Sequence, residues 1–322
     1  MRAFVTGGSG FVGGHLIRRL TGDGHQVVAL ARSDTAADRV MELGATVAHG
    51  DLSDPVLITA MTGCEVVFHC AALVGSHLDA LAAEKANVVG TTHVVQGAIA
   101  AGARRLVHLS TESVLIDGRP LNGVDESVPV PSSGHLSEYA RTKALAEQIV
   151  LAANGELLET IALRPRLVWG PEDATWLPGL VDKVEAGVFR WVDHGVHPGS
   201  TCHVFNVVEA LVLAADKGTP GSAYFITDGP PRAFKDFARA YLLTAGVEVG
   251  DGSVPGWLMR AAASVVESAW RVLPTSSPPP INRVEAHMVS HPQVFDDGRA
   301  RRELGYRPVI SVEQGLDALH TR

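Results

Sequence analysis

Ala3-Phe4-Val5-Thr6-Gly7-Gly8-Ser9-Gly10-Phe11-Val12-Gly13-Gly14-His15-Leu16 decides the fold. Ala3–Thr6 is a short apolar and β-branched run, which reads as a strand. Glycines then fall at 7, 10 and 13, and Phe11–Thr21 carries a helical pattern. Gly7 and Gly10 permit a tight turn and close approach of backbone to a pyrophosphate, and Gly13 lets the helix pack tightly on the sheet. The helix N-terminus points unpaired N–H groups at that anion. Three glycines alone are a weak signal. A strand before them and a helix after them make the dinucleotide reading specific.

The alternation continues outward. Gln26–Ala31, Thr46–His49, Glu65–Cys70, Leu106–Ser110 and Thr160–Arg164 read as further strands. Thr35–Leu43, Leu78–Ala101 and Tyr139–Ala153 read as helices between them. That order predicts an α/β fold with a doubly wound parallel sheet of the Rossmann type, helices on both faces. Beyond Gly170 the pattern loosens, and Gly170-Pro171, Pro178-Gly179 and His197-Pro198-Gly199 mark loops. Helices return at Asn206–Asp216, Phe234–Ala245, Pro255–Leu273 and Ser311–His320, with Ser276–Pro280 as a stiff linker. The expected organisation is an NAD(P)-binding domain over residues 1–170 and a smaller mixed α/β substrate-binding lobe over 171–322. Asn206–Thr227 belongs either to that lobe or to the main sheet.

The 322 residues are 46% hydrophobic and 19% charged, enough to fill a large core and incompatible with global disorder. A net charge of −8 argues against nucleic-acid binding, which needs a basic face. Cys64, Cys70 and Cys202 are too few and too scattered for a disulfide framework or a zinc site, so no metal is expected. The most apolar stretch, Trp257–Leu273, is broken by Arg260, Glu267 and Arg271, so no stable membrane insertion is expected. No signal-like segment precedes the first strand, and the expected setting is cytoplasmic.

The second strand ends Ala29-Leu30-Ala31-Arg32-Ser33, with no acid to bond a ribose 2′-hydroxyl. Arg32 and Ser33 suit a 2′-phosphate instead, which predicts NADP, with NAD as the alternative. The competing reading of Arg32 is a surface charge or a stack on adenine. Asp51-Leu52 is placed to meet the adenine edge, unless Asp51 caps the segment Ser53–Met61. Tyr139-Ala140-Arg141-Thr142-Lys143 puts a phenol and an ammonium on one helical face. A phenol is a poor base near neutrality, and a nearby Lys⁺ would stabilise its phenolate. Tyr139 would then exchange a proton with a substrate oxygen, and Lys143 would also hold the nicotinamide ribose.

With these residues in view, the chain resembles the extended short-chain dehydrogenases/reductases over essentially its full length. The glycine motif, His69-Cys70-Ala71-Ala72, Asn87 with Gly90-Thr91, Tyr139 with Lys143, and Leu163-Arg164-Pro165-Arg166-Leu167-Val168-Trp169-Gly170-Pro171 carry the likeness. The resemblance implies cofactor contacts at Gly7, Gly10, Phe11, Val12 and Gly13. It implies further contacts at Arg32, Asp51, Leu52, Ala71 and Ala72, and at Lys143, Pro165 and Val168. It also implies a third catalytic hydroxyl in His108-Leu109-Ser110-Thr111-Glu112-Ser113-Val114. Counting three back from Val114 selects Thr111, with Ser113 and then Ser110 as alternatives. Asn87 resembles a position that orders the helix beside the site. His69, His108 and His203 read as buried, satisfied side chains.

Within that family the second half is most similar to the bacterial 3β-hydroxysteroid dehydrogenase type. Cys202-His203-Val204-Phe205-Asn206, Ala223–Gly229 and Arg299–Pro308 carry this likeness, with Phe205 where relatives often have an acid. The expectation is an oxidoreductase acting on a bulky, largely apolar small molecule of sterol, terpenoid or β-keto lipid type. Trp257–Val266 would supply apolar surface to roof its pocket. The alternatives are a nucleotide-sugar epimerase or dehydratase and a non-catalytic dinucleotide sensor. Thr111-Glu112-Ser113 keeps only one acid of the dehydratase pattern, and an intact Tyr139/Lys143 pair weighs against a sensor. A homodimer through Leu78–Ala101 and Tyr139–Ala153 is a further implication of the resemblance.

Overall fold

A computed structural model of the chain describes residues 1–54, 56–75, 78–272 and 281–320. Its main sheet has strands β1 (Arg2–Thr6), β2 (Gln26–Ala31), β3 (Thr46–His49), β4 (Val66–His69), β5 (Arg105–Leu109), β6 (Glu159–Pro165) and β7 (Ser222–Ile226). Their order is β7-β6-β5-β4-β1-β2-β3, and every pairing is parallel. The strands are nearly continuous apolar runs because both faces are covered; β4 and β7 are buried throughout.

The covering helices are α1 (Phe11–Gly22), α2 (Asp34–Glu42), α3 (Gly90–Ala100), α4 (Glu138–Ala152) and α5 (Val204–Ala214), followed by α6 (Gly256–Val272) outside the sheet. On one face Leu16, Ile17 and Leu20 of α1 meet Val207, Leu211 and Ala214 of α5. On the other, Val94 and Ala98 of α3 pack with Met61, Val150 and Leu158. The segment Asn206–Thr227 thus supplies most of α5 and all of β7, with β7 registered on β6 from Ser222↔Ile161 to Ile226↔Pro165. Chain direction across the sheet reverses between β1 and β4. The crevice at their C-terminal ends is where open α/β sheets bind ligands.

The remainder includes a four-stranded sheet of short pieces, Arg232–Ala233, Pro198–Gly199, Gln293–Phe295 and Leu121–Val124, with both parallel and antiparallel pairings. Two expected loops are regular here. Pro198-Gly199 is one of these strands. Pro178-Gly179 lies in a helix, Trp176–Glu185, where the proline occupies the first turn and no intrahelical donor is lost. Short helices Arg283–Val289 and Gly298–Glu303 were not legible in the sequence; each is under two turns and too brief to show a period.

Leu78–Ala101, read as one helix, is instead a short α turn at Ala80–Ala83, a π-helical stretch at Glu84–Val89, and α3. The π stretch adds a residue to the turn and rotates Asn87 inward, to 1% exposure. α6 packs against Arg283–Val289, while Trp257, Leu258 and Val265 face solvent. The expected roof over an apolar pocket is therefore not formed by those three side chains. The linker Ser276–Pro280, and Leu273 at the end of the expected helix, lie outside the described residues. Among the described residues, no helix is long and apolar enough to cross a membrane.

Candidate active site

The turn after β1 shows why its residues are glycines. Gly7 has φ +73°, a conformation that side chains disfavour, and a Cβ there would lie 2.7 Å from the Ala71 amide nitrogen. A Cβ on Gly13 would lie 2.1 Å from the carbonyl oxygen of Gly7. The first turn of α1 is thus held against the β1 loop and β4 end. Gly10 caps α1 without a side-chain hydrogen bond, leaving the helix N–H groups open. Phe11 and Val12 begin that helix, and both are half-buried. This cradle fits the pyrophosphate of a dinucleotide, since anything larger than hydrogen at Gly7 or Gly13 would fill it.

Around the cradle, Arg32 is exposed at the end of β2 and makes no hydrogen bond or ion pair with a described residue. Ser33 caps α2, accepting the Ala36 N–H at 3.3 Å. Asp51 is exposed, and its carboxylate accepts the neighbouring Leu52 N–H at 2.6 Å. It does not cap the helix Val56–Met61: Asp54 takes the Val56 N–H at 2.9 Å. Leu52 packs over Gly90, whose added Cβ would meet it at 2.7 Å. Ala71 and Ala72 are half-buried after β4, and the Ala71 N–H donates to Thr6 Oγ1 at 3.3 Å. Pro165, buried, ends β6, and Val168 follows it.

Asn87 fixes the loop beside them. Its Oδ1 accepts the Leu73 N–H at 2.7 Å, and its Nδ2 donates to Leu73 O at 3.0 Å and to Thr142 Oγ1 at 3.0 Å. One amide thereby ties the β4 loop to the helix that carries Tyr139 and Lys143.

The structure brings Tyr139 and Thr111 together. Tyr139 is half-buried on the first turn of α4, and the Thr111 hydroxyl at the end of β5 favours the ionised form of its phenol. Thr111 Oγ1 donates to Glu112 Oε2 at 2.7 Å and accepts the Ser113 N–H at 3.2 Å. Ser110 is used elsewhere: its buried hydroxyl donates to Glu147 Oε2 at 2.6 Å. Of the three hydroxyls the sequence offered, Thr111 is the one interacting with the phenol.

Lys143 reaches the end of β5. Its Nζ donates to Leu109 O at 2.8 Å and meets His108 Nε2 at 3.1 Å, beneath the end of β5. Burial lowers its pKa to about 8, opposed by the charge of Glu147. The expected stabilisation of a Tyr139 phenolate by Lys143 is not what this geometry provides. Burial first, and then the Glu112 carboxylate, push the Tyr139 phenol upward, and the Thr111 hydroxyl opposes them.

The histidines are structural in placement. His69 is fully buried between Thr6 Oγ1 at 2.7 Å and Thr91 Oγ1 at 2.9 Å, and burial lowers its pKa to about 3. His203 Nδ1 accepts the Phe205 N–H at 3.2 Å. His108 departs from the expectation of a satisfied side chain, because its buried Nδ1 has no hydrogen-bond partner among the described residues. Among the described residues, no group of three His, Cys, Asp or Glu could hold a metal ion.

Three buried groups were missed as site components. Glu112 is 3% exposed and Arg166 is 4% exposed, and their Oε1 and Nε stand 4.0 Å apart. Glu147 on α4 is held by Arg164 Nε at 2.9 Å and Nη2 at 2.5 Å. The signal available for all of them was a charge at an otherwise buried position: directly after β5, on the inner face of α4, or within β6 and its end.

The sequence profile described as the 3-beta hydroxysteroid dehydrogenase/isomerase family matches residues 4–254. The chain is 44% identical, over 99% of its length and 96% of the relative's, to 4-hydroxy-2-methyl-3-oxo-4-farnesyl-3,4-dihydroquinoline-1-oxide ketoreductase of Stigmatella aurantiaca. It is 36% identical, over 99% of its length and 98% of the relative's, to 2-alkyl-3-oxoalkanoate reductase of Stenotrophomonas maltophilia. Among solved structures it resembles that of gox2253, with TM-score 0.79 and 30% identity, covering 98% of this chain and 96% of the other.

Proposed function

The chain belongs to the 3-beta hydroxysteroid dehydrogenase/isomerase family of NAD(P)-dependent oxidoreductases, and from that premise we propose that it reduces the ketone of a bulky, largely apolar β-keto compound, with Tyr139 as the proton donor. The observation that carries this reading is the pairing of Tyr139 with Thr111 at the end of β5. Burial holds the phenol in its protonated form, which suits a group that delivers a proton to a carbonyl oxygen. Thr111 fixes the position of that oxygen by hydrogen bonding. Lys143, anchored on Leu109 O and His108, is the hydrogen-bond donor for the cofactor ribose. The two relatives named above are a ketoreductase of a farnesylated ring and a reductase of 2-alkyl-3-oxoalkanoates, and both names describe a ketone on an apolar carrier.

When bound, the nicotinamide cofactor supplies or takes the hydride. Gly7, Gly10 and Gly13, with the N–H groups of Phe11 and Val12, would hold its pyrophosphate. Asp51 and Leu52 would meet the adenine, and Ala71, Ala72, Pro165 and Val168 the ring at the other end. Arg32 makes no hydrogen bond or ion pair with a described residue, which supports an NADP preference through a charge-assisted contact to the 2′-phosphate. Residues 1–170 with 206–227 form the cofactor-binding part in this reading, and most of 171–322 the substrate-binding part. Exposed Leu81 and Val89, beside α3, supply apolar surface for a homodimer.

The test is NADPH-linked turnover on a panel of long-chain β-keto acids, prenylated ketones, sterols and nucleotide sugars. Turnover of the apolar ketones, lost by at least a hundredfold in Tyr139→Phe, is expected. Activity confined to nucleotide sugars, or a fully active Tyr139→Phe, would overturn the reading.

A further inference from the structure

Thr111 has a shortage of protons. A hydroxyl carries one proton and two lone pairs. One lone pair takes the Ser113 N–H at 3.2 Å, and the proton is committed to Glu112 Oε2 at 2.7 Å. In that arrangement Thr111 has nothing to donate to a substrate carbonyl. The hydrogen bond reverses only when the Glu112 carboxyl itself carries a proton. Glu112 O–H then donates to Thr111 Oγ1, and the Thr111 proton is released toward the substrate.

We propose that Glu112 is a positioning residue that sets, through Thr111, whether the hydroxyl pair faces the substrate oxygen or turns away from it. The proposal rests on the roles of Thr111 and Tyr139 given above. With Glu112 neutral, Thr111 and Tyr139 both donate to the substrate oxygen, and the site is set for reduction. With Glu112 ionised, Thr111 donates to Glu112 and Tyr139 donates to Thr111, so both protons point away. Only O–H bonds change between the two states, and the proton that Glu112 gains or loses is exchanged with water.

The surroundings are poised between these states. Tyr139 of α4 and Arg166 at the end of β6 are the titratable and charged groups that face Glu112. Burial favours the neutral carboxyl. Arg166 favours the ionised one, yet its Nε stands 4.0 Å away, beyond hydrogen-bonding distance, and that buried Nε has no hydrogen-bond partner among the described residues. Arg166 Nη1 is occupied by Ser200 O at 2.6 Å, which holds the guanidinium where it is. The N–H groups of Glu112 and Ser113 also support the ionised form. The Arg166 cation thus stands beyond hydrogen-bonding distance of Oε1, an arrangement from which the carboxyl can take up a proton.

The experiment is the pH profile of ketone reduction in the wild type, Glu112→Gln and Thr111→Val, with NADPH binding followed by fluorescence to confirm an intact fold. A glutamine amide donates to Thr111 Oγ1 at every pH. The wild-type kcat is expected to fall up to tenfold per pH unit above the titration of Glu112. The Gln variant is expected to show a flat profile over the same range, at a plateau within about tenfold of the wild type's. Thr111→Val removes the coupling, so its lower rate is also expected to lose that inflection. An inflection that persists in either variant overturns the proposal. Loss of all ketone turnover in the wild type, or a fully active Tyr139→Phe, would instead count against the proposed function.

Discussion

The Cβ that Gly13 lacks would lie 2.1 Å from the carbonyl oxygen of Gly7, closer than any side-chain carbon can sit. The loop after β1 and the first turn of α1 are one interlocked unit, and its open N–H groups depend on that contact. Gly13→Ala is therefore expected to force the loop apart and cost about 1–3 kcal/mol, the usual range for overpacking. It is also expected to weaken NADPH binding at least tenfold. Gly22→Ala, at the end of the same helix with nothing within 4 Å of its Cβ, serves as the control and is expected to be neutral. Urea midpoints and fluorescence titration check both; a Gly13→Ala protein that binds like wild type removes the case for the cradle.

Glu147 and Arg164 form a buried pair, at side-chain exposures of 1% and 5%, that fastens α4 to β6 while Ser110 fastens it to the end of β5. Removing one partner leaves a buried charge unpaired, so Glu147→Ala is expected to cost about 3–5 kcal/mol. The double variant Glu147→Leu with Arg164→Met is expected to recover most of that loss, because no lone charge remains. Equal destabilisation of the single and double variants in urea would show that packing, not charge, dominates here.

The fold was readable because it is carried by local signals. Strand-turn-helix around Gly7 and alternation through Thr160 each need only neighbouring residues, and the parallel order follows from right-handed crossovers. What the sequence hid depends on contacts between distant segments. The hydroxyl of Ser110 looks as available as that of Thr111 until α4 brings Glu147 within 2.6 Å. Lys143 sits one helical turn from Tyr139, which suggested a direct effect on the phenol, yet His108 and Leu109 on β5 take its ammonium. The π stretch at Glu84–Val89 leaves no mark in the hydrophobic pattern, since one added residue shifts the phase without breaking it.

Asn87 makes three hydrogen bonds from one buried amide, to Leu73 N, Leu73 O and Thr142 Oγ1. Asn87→Ala leaves those partners unsatisfied, and an unmade buried bond costs about 1–3 kcal/mol. The loop after β4 would loosen against α4, so weaker NADPH binding is expected along with a lower melting temperature. Asn87→Asp, which keeps the acceptor and loses the donors, is expected to fall between the wild type and Ala. A Leu73 loop whose amide exchange rates are unchanged in the Ala variant would contradict this account.

Arg32 is exposed at the end of β2 with no partner among the described residues, so its charge is open to a ligand phosphate. A charge-assisted hydrogen bond contributes about 1.5–3 kcal/mol, which corresponds to roughly a 10- to 150-fold change in affinity. Arg32→Glu is expected to weaken NADPH binding by that factor and to strengthen NADH binding, since the new carboxylate can accept a ribose hydroxyl. If the ratio of the two dissociation constants stays fixed, Arg32 is a surface charge and the NADP preference fails.

His69 predicts the acid limit of the fold. Burial between Thr6 and Thr91 keeps its ring neutral, with a pKa near 3, whereas the unfolded chain takes a proton near 6.5. Between those values the unfolded state binds more protons than the folded one, so stability is retained above about pH 6.5 and lost progressively as pH falls toward 3. At about 1.4 kcal/mol per pH unit, His69 alone withdraws up to about 5 kcal/mol over that span. His203, lowered to about 4, adds to the same trend. His69→Gln keeps a donor and an acceptor without a titrating group. It is expected to be somewhat less stable at pH 7, with a visibly shallower decline in urea-unfolding free energy below pH 6. A decline as steep as the wild type's would show that other groups set the acid transition.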